Sequence, residues 1–413
     1  MKTRIRYLRE IKLRSSCASA AARREDRLPR FLDMPDDAHE RLDQLNVAIV
    51  GVGSVGRNAA LHLARLQIAG LLLIDCGRLK AQSVLTHLIS PADVSQPKAS
   101  NAGRVCKRVS PDTRVMVSDG SVQELPLTAF AGVDVIFLAT DNLLAESEVA
   151  QRAIWLGKPL VQASVHGATL VGQVRCFSNR DGQGACPVCS FSEVEWNHLN
   201  LQTRFNCDGP PTGKAAAQIT KEPTMSTSFL CSAAADLALV QILRYVLGLG
   251  APVMDTMLEY CGYTHRTVVS PLVRNPECRC DHTTYERAPC PRPIPDCTLR
   301  QFASLAGFDG EELLSFRVDE MTYAELGACG CGGSQPLRRF VADGAHVGRC
   351  RSCGAPVFPR PSDSHRPVPR SVVADVLDRP LRDLGAGAAQ WLAVRCGDRA
   401  VLFIDPENGQ KGA

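Results

Sequence analysis

From position 46 onward the chain alternates short, mainly apolar runs with longer segments whose apolar positions recur every three or four residues. The runs at 47–50, 71–74 and 115–117 are wholly apolar, and those at 133–138 and 160–163 contain one polar residue each, Asp134 and Gln162, as expected for strands largely buried on both faces of a parallel sheet. The periodic segments at 54–66, 98–108 and 144–156 predict amphipathic helices between them. Strand and helix in repeated succession predict a doubly wound, mostly parallel α/β sheet, Rossmann-like, with its ligand crevice past the carboxyl ends of the strands.

After Gly167 the pattern changes. A strand is expected at 170–177, followed by a polar stretch from 190 to 223 with little periodicity, and a loop of that length inside a compact domain is either functional or disordered. A helix from 226 and strands at 256–261 and 267–273 complete the domain. The apolar segment 228–250 is broken by Asp236 and Arg244 and rich in Ala, which predicts a buried core helix and no membrane span. The run APCPRPIP at 288–295 reads as a stiff linker. The expected organisation is a basic arm at 1–30, an α/β domain at 31–282 with a crossover loop at 190–225, a linker at 283–300 and a smaller C-terminal domain at 301–413, which ends in the hairpin-like WLAVRCGDRAVLFID.

Composition narrows the function classes. The chain has 413 residues, 45% of them apolar and 22% charged, as in ordinary globular proteins. A net charge of +4 is too small to argue for a nucleic-acid partner. The arginines of the first thirty residues, among them Arg24 and Arg27, are not followed by an apolar secretory core and read as a solvated arm.

The spacing of the eighteen cysteines changes the picture more. Cys186 and Cys189 form C-P-V-C, Cys278 and Cys280 form C-R-C, Cys329 and Cys331 form C-G-C, and Cys350 and Cys353 form C-R-S-C. Such close pairs let two thiolates from one turn bind one ion, so two structural Zn²⁺ sites are expected in a reducing, cytoplasmic compartment. The first would close a loop of about ninety residues; the second, within a ribbon at about 326–358, would organise a knob that binds a partner or simply stiffens the domain.

The stretch VAIVGVGSVGRNAA places Gly51, Gly53 and Gly56 between a strand and a helix, where backbone N–H groups can approach a phosphate. Asp75 ends the second strand, where a carboxylate can accept ribose hydroxyls. Alone, these features suit a nicotinamide oxidoreductase as well as any other nucleotide enzyme.

The order VAIVGVGSVG, LLLIDC, SPADVSQPKA, FLATDN, C-P-V-C and C-R-C resembles the ubiquitin-activating-enzyme superfamily, typified by ThiF, MoeB and HesA, over residues 24 to 282. The resemblance implies an ATP- and Mg²⁺-dependent adenylyltransferase acting on the C-terminal carboxylate of a ubiquitin-like or sulfur-carrier protein. It implies a homodimer in which Arg27 reaches the partner's ATP. Lys98 would meet the charge that develops on the phosphoryl oxygens, and Asp141 would hold the metal.

Where many members read S-N-L-x-R-Q, this chain reads Q-S-V-L-T-H, with Ser83 and Thr86 in place of Asn and Arg. One phosphate contact is thereby removed, so Arg57 or His87 compensates or adenylation is slow or absent. Thioester-forming members carry a reactive cysteine in the crossover loop. Cys207, in RFNCDGPPTGKAA beside Arg204 and Lys214, fills that interval, with Cys231 as its rival. The expected activity is adenylation, capture on Cys207 and transfer to a conjugating enzyme. The alternatives are sulfur-carrier activation for thiamine or molybdopterin synthesis and an inactive scaffold.

Overall fold

A computed structural model describes residues 8–12, 33–179, 182–197, 199, 226–250, 254–311, 313–342 and 344–406. They fall into two compact units: residues up to 125 with 133–282, and residues 126–132 with those from 283 on.

Among the described residues, the first unit is built on a nine-stranded sheet. In chain order its elements are β1 (Leu8–Glu10), α1 (Ala38–Gln44), β2 (Asn46–Val50), α2 (Ser54–Arg65), β3 (Gly70–Ile74), α3 (Ser83–Thr86), α4 (Lys98–Val109), β4 (Arg114–Ser118), β5 (Val135–Leu138), α5 (Leu143–Trp155), β6 (Leu160–His166), β7 (Val171–Phe177), α6 (Ser228–Leu247), β8 (Thr256–Cys261) and β9 (Arg266–Pro271). The strand order is β1-β4-β3-β2-β5-β6-β7-β8-β9. Strands β4, β3, β2, β5 and β6 run parallel, while β1 and β7 to β9 are antiparallel.

The parallel core follows from its sequence. No side chain of Val47, Ala48, Ile49 or Val50 is more than 3% exposed, so β2 is covered on both faces. Burying each of its larger side chains contributes about 1.5–3 kcal/mol. From β2 the chain winds through β3 to β4 on one side and then returns to β5 on the other. The switch between β2 and β5 is where a doubly wound sheet opens its crevice.

Helix α6 is long and apolar enough to cross a membrane by composition, but half of it is buried in this unit. Its Ala235, Ala238 and Ile242 share one core with Ala59, Ala60 and Leu63 of α2, the small residues allowing close approach.

Two expectations are corrected here. The arm at 1–30 is not wholly solvated, because β1 pairs antiparallel with β4 and Arg9 forms an ion pair with Asp119 at 2.6 Å. Nor is 283–300 a free linker. Within the second unit, β10 (Glu286–Pro289) pairs in parallel with the last strand, and Ile294 and Cys297 are buried.

The second unit continues with α7 (Leu299–Leu305), β11 (Leu314–Val318), β12 (Met321–Ala328), β13 (Ser334–Ala342), β14 (Phe358–Pro359), β15 (Ser364–His365), β16 (Val368–Pro369), β17 (Trp391–Cys396) and β18 (Arg399–Ile404). One sheet has the order β10-β18-β17-β11-β16 and another the order β13-β12-β14, with β15 also on β12. Phe302 and Phe403 pack at 5.0 Å between ring centroids in its core.

Candidate active site

β2 stops at Val50, and the chain turns at once to begin α2 at Ser54. Gly51 takes φ +88°, and a Cβ there would strike the Ala139 carbonyl just past β5. A Cβ on Gly56 would run into the Gly51 carbonyl oxygen, so the missing side chain sets how closely α2 approaches β2. Gly53, the N-cap of α2, differs: among the described residues, a Cβ there would meet only Nε2 of His87, at 3.9 Å. Gly51 and Gly56 permit the turn, and Gly53 leaves open space at the positive end of a helix dipole.

Asp75 follows β3. Its Oδ2 accepts the Val52 N–H at 2.7 Å and its Oδ1 the Gly77 N–H at 2.7 Å, which braces the glycine loop. A carboxylate has about four acceptor sites, so capacity remains for a hydroxyl. Lys98 opens α4, its backbone N–H donating to the Gly77 carbonyl at 3.0 Å. Its Nζ comes within 3.4 Å of where a Gly77 Cβ would stand, so the ammonium and the Asp75 turn share one wall of the crevice.

The segment between them places the departures from the family pattern. Ser83 Oγ accepts the Lys80 N–H at 3.0 Å and serves the turn. Thr86 Oγ1 lies 2.9 Å from Nδ1 of His87, which is also 3.2 Å from Ser54 Oγ. Arg57, only 2% exposed, donates from Nε to the Leu88 carbonyl at 3.2 Å. Burial first, then Lys98 and Arg57, push the His87 pKa down to about 4, so the ring is neutral at pH 7.

Asp141 lies on the loop after β5, beside the Ala139 and Thr140 backbone that packs on Gly51. The cap of α5 is Asn142, whose side chain accepts the Ala145 N–H at 2.9 Å, so Asp141 is exposed and uncommitted to the helix. The structure therefore gathers Gly51, Gly53, Gly56, Asp75, Lys98 and Asp141 around the switch point. Arg27 and Cys207 lie outside the described residues. Cys231 sits inside α6, 1% exposed, and burial pushes its thiol up, which makes it a poor nucleophile.

The first cysteine cluster forms at the far end of β7. Sγ of Cys186, Cys189 and Cys278 and one ring nitrogen of His282 all lie within 4.8 Å of one another. Cys186 is 3.8 Å from both Cys189 and Cys278, and Cys189 is 3.6 Å from His282 Nε2. A tetrahedral ion with Zn–S near 2.3 Å and Zn–N near 2.0–2.1 Å requires edges of about 3.8 and 3.5 Å, and these match.

Cys280 is near enough to act on the Cys186 and Cys278 thiols but is not in this four-atom set, so five groups border a four-coordinate space. His282 carried no signal in the cysteine spacing; its place two positions after Cys280 was the only hint. Hydrogen bonds to Cys189 and Cys278 push its pKa up to about 9.

In the second unit, Cys329, Cys331, Cys350 and Cys353 also converge. Cys329 is 3.7 Å from Cys353 and Cys331 is 3.8 Å from Cys350, while Cys329 and Cys331 close to 2.7 Å, tighter than a tetrahedral edge. Each cluster could hold a thiophilic divalent ion such as zinc.

The ThiF family pattern matches residues 26–282. Protein HesA of Leptolyngbya boryana is 29% identical over 42% of this chain and 62% of its own length, so the chain spans under two thirds of that relative. The molybdopterin-synthase adenylyltransferase of Escherichia coli K12 is 22% identical over 59% of this chain and 89% of its own. A sulfur carrier protein adenylyltransferase of Thermus thermophilus is 23% identical over 61% and 89%. Among solved structures, E. coli MccB with ATP aligns at a TM-score of 0.46 and 15% identity over 59% of this chain and 67% of that one. With its family pattern spanning well over half of the sequence, on a doubly wound sheet carrying the glycine turn, the chain belongs to the ThiF family.

Proposed function

We propose that this protein is an ATP-dependent adenylyltransferase that activates the C-terminal carboxylate of a ubiquitin-like or sulfur-carrier protein. The observation that carries the proposal is the convergence of the Gly53 notch, the Asp75 carboxylate, the Lys98 ammonium and the Asp141 loop at the β2/β5 switch. A nicotinamide site would use the first two and have no need of the others. The E. coli molybdopterin-synthase adenylyltransferase and the Thermus sulfur carrier protein adenylyltransferase, to which the chain is similar, support the same class of reaction.

In this mechanism Asp75 orients the ribose and the α2 N-terminus receives the phosphates. Lys98 and, from the partner copy of a homodimer, Arg27 stand against the charge that grows on the α-phosphoryl oxygens as the carboxylate attacks. Asp141 would hold Mg²⁺, which neutralises phosphate charge through hard oxygen ligation. Pyrophosphate leaves and the carrier remains as its acyl adenylate. Cys207 then attacks that carbonyl, AMP departs, and the thioester passes to a conjugating enzyme. The zinc clusters are structural, since four protein ligands leave no open position.

Exchange of pyrophosphate into ATP, with candidate carriers ending in glycine, tests the first half. Asp141→Ala should abolish exchange without lowering the melting temperature, whereas unchanged exchange discards its role. Cys207→Ala should keep exchange and lose a dithiothreitol-sensitive carrier adduct. A wild-type enzyme that exchanges but never forms the adduct, and supports sulfide transfer to the carrier, establishes the sulfur-carrier alternative. No exchange and no ATP binding would leave a scaffold.

A further inference from the structure

Two buried nitrogens beside the glycine loop have no hydrogen-bond partner: Nε2 of His87 and Nη1 of Arg57. Leaving a buried polar group unpaired is costly, so His87 Nε2, the one of the two that faces the Gly53 position, asks for an absent acceptor.

They are not equivalent. Arg57 spends its Nε on the Leu88 carbonyl and so tethers the 83–88 turn to α2. His87 is fixed by its other ring nitrogen. Its Nδ1 lies 3.2 Å from Ser54 Oγ and 2.9 Å from Thr86 Oγ1, and both are hydroxyls able to donate to it. With Nδ1 accepting, the neutral ring carries its proton on Nε2. That nitrogen is also the group nearest the position a Gly53 Cβ would take, at 3.9 Å, so the buried donor is directed at the N-cap glycine of α2.

We propose that His87 is a phosphate-binding residue of this chain: its Nε2–H donates to a phosphoryl oxygen of a nucleoside triphosphate held by the glycine loop. Ser54 and Thr86 hold the ring, and Arg57 holds the turn that carries it. This deepens the function proposed above and rests on its nucleotide site. Thr86 stands where the family pattern has an arginine, and here it orients a neighbouring donor instead of contacting phosphate itself. Positive charge comes from Lys98, and the imidazole supplies a directed hydrogen bond.

The test is calorimetric titration of the full chain with a non-hydrolysable Mg–ATP analogue and, separately, with adenosine, for wild type, His87→Ala and His87→Gln. Loss of a hydrogen bond to a charged acceptor should weaken binding of the ATP analogue by roughly tenfold or more in His87→Ala. Adenosine affinity, which involves no phosphate, should stay within about twofold by the same reasoning. His87→Gln, whose amide nitrogen reaches similarly far, should recover most of the loss.

Equal weakening toward adenosine and the analogue would mark His87 as a packing residue and overturn the proposal. Unchanged affinity for the analogue would overturn it as well. A wild-type chain that binds neither probe would overturn the nucleotide site itself, a result distinct from the first two.

Discussion

Removing metal from the cluster of Cys186, Cys189, Cys278 and His282 should be among the most destabilising changes this protein can undergo without a mutation. The cluster joins the segment before the crossover loop to the end of the α/β unit, across 92 positions from Cys186 to Cys278. Closing a loop of about ninety residues removes on the order of 4–5 kcal/mol of entropy from the unfolded chain, if the clip survives only in the folded state. With a urea m-value of about 2–3 kcal/mol per molar, that corresponds to a midpoint lower by roughly 2 M. Residual binding of metal to the unfolded thiols reduces the effect.

The assay is urea unfolding of the full chain before and after chelation, with metal content measured in parallel. The ligand set is tested by His282→Ala, which should release the metal, and by Cys280→Ala, which should retain it, because the tetrahedral edges run through His282. Identical unfolding midpoints with and without metal would refute the clip. Metal loss from Cys280→Ala with retention in His282→Ala would refute the ligand assignment and restore the four-cysteine set expected from spacing.

Other consequences follow from the same geometry. Gly56→Ala places a Cβ against the Gly51 carbonyl oxygen and should destabilise the unit by about 1–3 kcal/mol or prevent folding, whereas Gly53→Ala should unfold at nearly the wild-type temperature while binding nucleotide poorly. Equal melting temperatures for the two would contradict their separate roles. Asp75→Asn leaves the Val52 or Gly77 N–H facing an amide NH₂ in place of a carboxylate oxygen, so chemical denaturation should show a loss of about 1–3 kcal/mol even without nucleotide. His87 accepts a proton near pH 6.5 when unfolded but only near pH 4 when folded, so it favours folding above pH 6.5 and this contribution drains away as pH falls toward 4. The span is about 3 kcal/mol at most, and the stability of His87→Gln should fall less steeply through that window.

The sequence made the parallel core legible because strands buried on both faces leave an unbroken apolar signature. Runs such as Val47 to Val50 need no neighbour to be recognised. The glycine turn was legible for the related reason that strand, three glycines and helix are contiguous. Elements that exist only through tertiary pairing were not. β1 is three residues, Leu8 to Glu10, with no periodicity, and it forms because β4 offers a free edge. β10 contains Pro289 and lies in a segment whose composition suggests a linker; on the sheet's outer edge proline is tolerated, and β18 supplies the pairing. His282 was hidden because four cysteines already completed a plausible zinc set.

The departures at Ser83 and Thr86 bear on whether the nucleotide site is in use. A site abandoned during divergence is under no pressure to keep an open notch or to leave donors unpaired, since filling the one and pairing the other gains stability. Here a Cβ on Gly53 would still meet little, and His87 Nε2 remains buried and unsatisfied beside it. Ser83 and Thr86 have been absorbed into the turn that positions His87, the one by accepting the Lys80 N–H and the other by contacting Nδ1. The retained space at Gly53 favours the nucleotide site proposed above over the scaffold reading, and titration with the ATP analogue decides between them.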